Sequence, residues 1–241
     1  DVEIALSRAV ENDEFVLHYQ PKVCAQTRKV LSYEALIRWE RPGHGLVMPN
    51  DFIEIAEQSM VVTDIGRWCI REACEAASRW ESHVGVSVNL SARQFLDPKL
   101  YGDVREALRR SGLEPHRLEL EITETAAFEF FDLCKSVLRE VCNRTNAHLV
   151  LDDLGAGHSN LVRFLALEPD IVKLDRALVT NIHLDPRRQK MLRHLTALCT
   201  DLGARVVAEG IEQREELSAV VDAGVHYGQG YLFARPAYPI P

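Results

Sequence analysis

Five carboxylates and one amide recur along this chain of 241 residues, each at or just beyond the end of a short apolar run. Glu34 stands within Leu31-Ser-Tyr-Glu-Ala-Leu-Ile-Arg-Trp39 and Asn89 within Val86-Ser-Val-Asn-Leu-Ser91. Glu121 lies in Leu118-Glu-Leu-Glu-Ile-Thr123, Asp152 and Asp153 close His148-Leu-Val-Leu-Asp-Asp153, and Glu209 follows Arg205-Val-Val-Ala208. A carboxylate next to an apolar strand end is costly unless it is paired or holds a cation. Taken singly, each would read as a surface or capping residue. Six of them at like positions on separate segments read as an oxygen-rich site for Mg2+ or Mn2+. The adjacent aspartates could serve two ions, one carboxylate bridging both. Two ions about 3.5–4 Å apart clamp the attacking and leaving oxygens of a phosphoryl displacement. Lys173, on the polar side of its own short run, would either pair with Glu121 or Asp175 or orient a nucleophilic water and stabilise charge on phosphate.

These residues need a scaffold that gathers many strand ends. The pattern predicts strands over residues 15–20, 31–39, 84–90, 118–123, 148–152, 171–174, 205–208 and 227–232. Helical periodicity fills 51–58, 65–80, 101–111, 128–143, 160–167, 186–202 and 214–223, with an amphipathic helix at the very start. Strands separated by helices pair in parallel. Residues 23–30 are too few for a helical crossover, so the first two strands form an antiparallel pair. Eight strands predict an α/β fold, a modified TIM-type (β/α)8 barrel with one antiparallel strand; a doubly wound open sheet is the alternative. Parity favours the barrel. Ser32, Glu34, Leu36 and Arg38 share one strand face, as do Ser87, Asn89 and Ser91, and Glu119, Glu121 and Thr123. In a barrel such polar faces converge on the axis, and the C-terminal strand ends carry the chemistry.

Composition narrows the function classes. The net charge of −8 argues against a nucleic-acid-polymer surface, and 46% hydrophobic with 27% charged residues is ordinary for a globular domain. Six cysteines without a paired or zinc-like spacing fit a reducing, cytoplasmic setting. No run is long and apolar enough to span a membrane, although a longer parent protein could be membrane-attached. The opening Asp1-Val-Glu-Ile suggests a single domain, residues 1–241, taken from a larger signalling protein.

The run Tyr33-Glu-Ala-Leu-Ile-Arg-Trp39 carries the signature of the EAL-domain family, the phosphodiesterases specific for cyclic di-GMP. Tyr19-Gln-Pro21, Asn89-Leu-Ser91, Glu121-Ile-Thr-Glu124, Leu151-Asp-Asp153, Val172-Lys-Leu-Asp175, Ala208-Glu-Gly210 and Gln229-Gly-Tyr231 resemble the family's other motifs in order and spacing across nearly the whole chain. The resemblance implies a (β/α)8-type barrel with one antiparallel strand. It implies that Glu34, Asn89, Glu121 and Asp152 bind one metal, with Asp152 bridging to a second ion held also by Asp153 and Glu209. Lys173 would contact the attacking water, Gln229 would support the site from the last strand, and Glu124 would anchor the loop after the Asp152-Asp153 strand. Gln20, Leu36, Arg38 and Asp175 would face the dinucleotide, Arg38 offering a guanidinium fork to phosphate. Regulatory domains elsewhere in a longer protein and a homodimer are also implied.

Departures gather in one loop. Where the family shows Asp-Asp-Phe-Gly-Thr-Gly followed by Tyr or Phe and two serines, this chain reads Asp152-Asp-Leu-Gly-Ala-Gly-His-Ser-Asn160. Leu154 loses a ring and Ala156 a hydroxyl, while Gly155 and Gly157 keep the turn. The segment Glu57-Gln-Ser-Met-Val-Val62 also lacks the glycine common there. The expectation is a metal-dependent hydrolase that converts cyclic di-GMP to linear 5′-pGpG; its rivals are a non-catalytic receptor for the same dinucleotide and a barrel enzyme of other chemistry.

Overall fold

The structure, a computed structural model, describes residues 2–129, 131–155 and 161–238. After helix α1 (Val2–Ala9), the chain lays down β1 (Phe15–Cys24), β2 (Val30–Arg41) and a short β3 (Gly45–Val47). Helices α2 (Ile53–Gln58) and α3 (Val61–Ala77) lead to β4 (Gly85–Asn89), and α4 (Leu100–Ser111) to β5 (Leu118–Thr123). Helices α5 (Glu124–Glu129) and α6 (Phe131–Thr145) precede β6 (His148–Leu154), and α7 (Leu161–Leu167) precedes β7 (Ile171–Leu174). Then come α8 (Arg176–Val179), α9 (Pro186–Asp201), β8 (Arg205–Ala208), α10 (Arg214–Asp222) and β9 (Tyr227–Gly228).

β1 pairs antiparallel with both β2 and β9, and β2, β4, β5, β6, β7, β8 and β9 follow one another in parallel. Eight strands therefore close a barrel around one antiparallel member, and β3 adds to the outer edge of β2. Closure rules out the open doubly wound sheet.

Several boundaries differ from expectation for identifiable reasons. β1 runs four residues past Gln20, through Pro21, which pairs with Tyr33 on one side only; β9 joins β1 further along, at Val23 and Cys24. A proline with no N–H to donate is tolerated where one flank of the strand is open. Conversely β9 ends at Gly228 instead of residue 232. Gly230, at φ +156°, turns the chain, and a Cβ there would run into the backbone of Ile211. In the stretch expected as a helix over 128–143 the described residues are helical, within α5 to Glu129 and within α6 from Phe131. α2 and α3 meet at Met60, whose backbone is left-handed at φ +64°.

The main core lies between the barrel and its helices. Outward strand residues such as Val86, Val88, Leu118, Leu120 and Ile122 are buried there. On the β1–β2 side Phe15, Trp39, Phe52 and Trp68 stack with ring centroids 5.8–6.2 Å apart. The barrel interior is divided. Val150, Ile171 and Val207 form a small apolar cluster on the β6–β8 side, whereas Lys22, Ser87 and Glu119 fill the β1–β5 side. All six cysteines are free thiols, and among the described residues no helix is long and apolar enough to cross a membrane.

Candidate active site

Strand parity turns the polar side chains inward, and the parallel arrangement brings their ends to one rim. Glu34 from β2, Glu121 from β5 and Asp152 from β6 offer carboxylate oxygens that all lie within 4.8 Å of one another. Asp152, Asp153 and Glu209, which follows β8 directly, offer a second such set. Asp152 belongs to both. Asn89 closes β4 and donates from Nδ2 to Glu34 Oε1 at 2.8 Å, which leaves its carbonyl oxygen available as a ligand.

Neighbouring residues of a regular strand point to opposite faces, so Asp152 and Asp153 should not share a site. They share one because the strand is irregular here. The β6–β7 register shifts between Leu151 and Leu154, and Asp153 adopts a left-handed backbone at φ +60°. Aspartate is among the few residues that tolerate this conformation, and its N–H is taken by Asp152 Oδ1 at 2.7 Å. The bulge is what makes a two-aspartate corner. Gly155, at φ +99°, completes the turn; a Cβ there would come within 2.6 Å of Leu178 Cδ1. Glu124 Oε2 accepts the Gly155 N–H at 3.2 Å, the loop-anchoring position expected of it. Leu154, one of the departures, is buried and pairs with Leu174. The loop's other departures, Ala156, His158 and Asn160, lie outside the described residues, as do Gly157 and Ser159.

Lys173, from β7, stands at the centre. Its Nζ donates to Glu121 Oε2 at 2.9 Å, Asp152 Oδ2 at 3.0 Å and Glu34 Oε2 at 3.3 Å, and pairs with Glu209 Oε1 at 2.7 Å. Both readings of Lys173 thus begin from the same place, since the buried partner of Glu121 is also the cation in the middle of the acidic rim. One ammonium is not enough for these carboxylates. Burial, opposed by Lys173 but reinforced by neighbouring acids, pushes Glu209 up to about 8 and Asp152 up to about 6. Asp153 is raised for the same reasons, with Asp175 adding to the repulsion. Lys173 is held well above its ordinary value: burial would lower it, but Asp152, Glu121, Glu209 and Glu34 together prevail. An all-oxygen donor set carrying surplus negative charge fits hard divalent cations.

The other expected residues surround this core. Gln229 Nε2 donates to Glu34 Oε2 at 2.6 Å and to Gln20 Oε1 at 3.2 Å, and its own Oε1 is buried with no partner among the described residues. Gln20 is tied to Ala234 O at 3.1 Å. Arg38 is buried beside the half-buried Leu36; it makes no ion pair among the described residues, its Nη1 bonding to Ile37 O at 2.8 Å. A guanidinium without a carboxylate partner suits an incoming phosphate. Asp175 is turned to another task as well, capping α8 through the Ala177 N–H at 2.7 Å.

Sequence reasoning missed Lys22. It is 3% exposed and donates to Ser87 Oγ at 2.8 Å and Glu121 Oε1 at 2.9 Å, with a still closer contact to Glu119. The signal was its spacing: Lys22 lies two residues after Gln20 and so shares its inward face. Glu121 is consequently held between two ammonium groups. Burial alone would raise its carboxyl; Lys173 and Lys22 outweigh that and bring it to about 2.

Comparison with known proteins agrees with this arrangement. The chain is 36% identical over 234 residues to the cyclic di-GMP phosphodiesterase PdeR of Escherichia coli, covering 96% of this chain and 35% of that protein. It is 35% identical over 235 residues to the bifunctional diguanylate cyclase/cyclic di-GMP phosphodiesterase MucR of Pseudomonas aeruginosa, covering 96% and 34%. The chain thus spans about a third of these relatives. A solved PaMucR phosphodiesterase in complex with c-di-GMP superposes with a TM-score of 0.90 at 34% identity, covering 98% of this chain and 96% of that one. The EAL domain profile matches residues 3–236. With that extent of match, and a barrel whose rim carries the expected residues, the chain belongs to the EAL domain family.

Proposed function

We propose that this domain is a metal-dependent phosphodiesterase that hydrolyses cyclic di-GMP to linear 5′-pGpG, using two divalent cations, Mg2+ or Mn2+. The observation that carries the reading is the charge imbalance at the rim: four carboxylates pair with Lys173, Asp153 lies beside them, and burial with mutual repulsion pushes Asp152, Asp153 and Glu209 above their ordinary values. Divalent cations bound there would lower the pKa of a water and stabilise the leaving oxygen. Glu34, Asn89, Glu121 and Asp152 would hold one cation, and Asp152, Asp153 and Glu209 the other. Gln229 fixes the Glu34 carboxylate by its 2.6 Å hydrogen bond, so that one ligand is pre-set before substrate arrives. Lys173 keeps a proton and can place an N–H at the attacking water while holding Glu121 and Asp152. Arg38 and Gln20 would line the dinucleotide, Arg38 meeting a phosphate and Leu36 offering apolar contact to a base; Asp175 would bound the same pocket. The full ligand set separates this reading from that of a non-catalytic receptor. In this reading the domain acts in second-messenger signalling under the control of other domains of a longer protein, and as a homodimer. The test is hydrolysis of cyclic di-GMP by the purified domain with Mg2+ or Mn2+, with and without chelator, the product identified by mass.

A further inference from the structure

Beneath the rim the barrel interior is asymmetric, and Lys22 is the reason. On the β6–β8 side the layer under the carboxylates is apolar, made by Val150, Ile171 and Val207. Glu121 has no such floor. Its side chain is fully buried, its Oε2 faces Lys173 at 2.9 Å, and its Oε1 is bonded from below by Lys22 at 2.9 Å. Lys22 is itself fixed on two further sides, by Ser87 and by Glu119, so its ammonium cannot follow Glu121 if that carboxylate turns. The two contacts on Glu121 differ in kind. Lys173 is shared among four carboxylates and must yield ground when a cation enters their midst, whereas Lys22 stands on the far side of Glu121 and reaches none of the other rim carboxylates.

We infer that Lys22 is a positioning residue for the metal site: it locks the plane of the Glu121 carboxylate from below, so that Oε2 is aimed at the space shared with Glu34 and Asp152. This rests on the metal-site reading above. Charge and orientation predict opposite signs for removing Lys22. Loss of a nearby positive charge alone would make cations bind more tightly. Loss of orientation would make them bind more weakly, and partners behind a metal ligand typically account for about 10–100-fold in affinity.

The experiment compares Mn2+ affinity by titration calorimetry in the wild type, in Glu119→Gln and in the double variant Lys22→Met with Glu119→Gln, the last removing a cation and its partner together so that no orphaned carboxylate remains. The expected result is affinity about 10–100-fold weaker in the double variant and within about twofold of wild type in Glu119→Gln. An unchanged or tighter double variant overturns the inference alone, whereas absence of Mn2+ binding by the wild type overturns the metal site with it. Should the double variant not fold, 15N-lysine NMR of the wild type gives the answer: the Lys22 ammonium signal stays slow-exchanging when Mg2+ is added, and its loss on loading overturns the inference.

Discussion

Lys173 and Lys22 occupy one barrel interior, 1% and 3% exposed, yet their surroundings differ in stoichiometry. Lys173 meets Glu34, Glu121, Asp152 and Glu209, with Asp153 close behind. Lys22 meets Glu119 and Glu121 and a serine hydroxyl. The lower layer comes close to balance with what the protein itself supplies. The upper layer does not, and its surplus charge is where function enters. A buried cation can therefore mark either a finished network or an incomplete one, and the count of carboxylates around it distinguishes the two.

The largest expected effect breaks the upper layer directly. Glu34→Ala removes a carboxylate that accepts bonds from Asn89, Gln229 and Lys173. Turnover of cyclic di-GMP should fall by more than about 100-fold, since a direct ligand matters more than the residues behind it. The protein should remain folded by circular dichroism; a folded variant with near-normal metal-dependent turnover would remove Glu34 from the site.

Next is Lys173→Met. Removing one partner of a buried ionic cluster costs about 3–5 kcal/mol when the rest stay unpaired. In chelator the melting temperature should drop accordingly, and saturating Mn2+ should restore most of the loss while activity stays low. If Mn2+ does not restore stability, the carboxylates are not a cation site and Lys173 is purely structural.

A third test uses pH on the metal-free protein. Asp152 and Glu209 sit at about 6 and about 8 in the folded state, above their ordinary values, so the folded state binds more protons than the unfolded one across this window. Stability must then rise as pH falls from 9 toward 6. Glu121, lowered to about 2, works in the opposite sense but only in acid, outside this range. Melting in EDTA should therefore be higher at pH 6 than at pH 9. Saturating metal should abolish or reverse the slope, because cations need the ligands deprotonated. A metal-free protein that loses stability from pH 9 to 6 would contradict the charge imbalance.

Much of this was legible in the sequence, and the limits have physical causes. The antiparallel first pair followed from a connection too short for a crossover, and the inward face of β2 followed from alternation through Glu34. Alternation also hid two features. It would send Asp152 and Asp153 to opposite faces, and only the bulge with its left-handed aspartate reunites them. The expected first strand stopped at Gln20, so Lys22 fell outside the strand that buries it.

The smallest effect lies outside both layers and calibrates them. Met60, half exposed between α2 and α3, holds φ +64° within the segment where the EAL pattern has glycine. Met60→Gly should raise stability by about 0.5–1 kcal/mol, relief of left-handed strain exceeding the added freedom of the unfolded chain. Denaturant titration would show it, and turnover per folded molecule should be unchanged. A loss of stability would mean that the contact between Arg93 and the Met60 sulfur outweighs the strain.

If cations complete the upper layer, they bind at two adjoining positions that share Asp152. Anomalous diffraction from crystals grown with Mn2+ measures this directly. Two peaks are expected, one among Glu34, Asn89, Glu121 and Asp152 and the other among Asp152, Asp153 and Glu209. No peak at the rim, or a single peak that leaves Asp153 and Glu209 uncoordinated at saturating Mn2+, would contradict it.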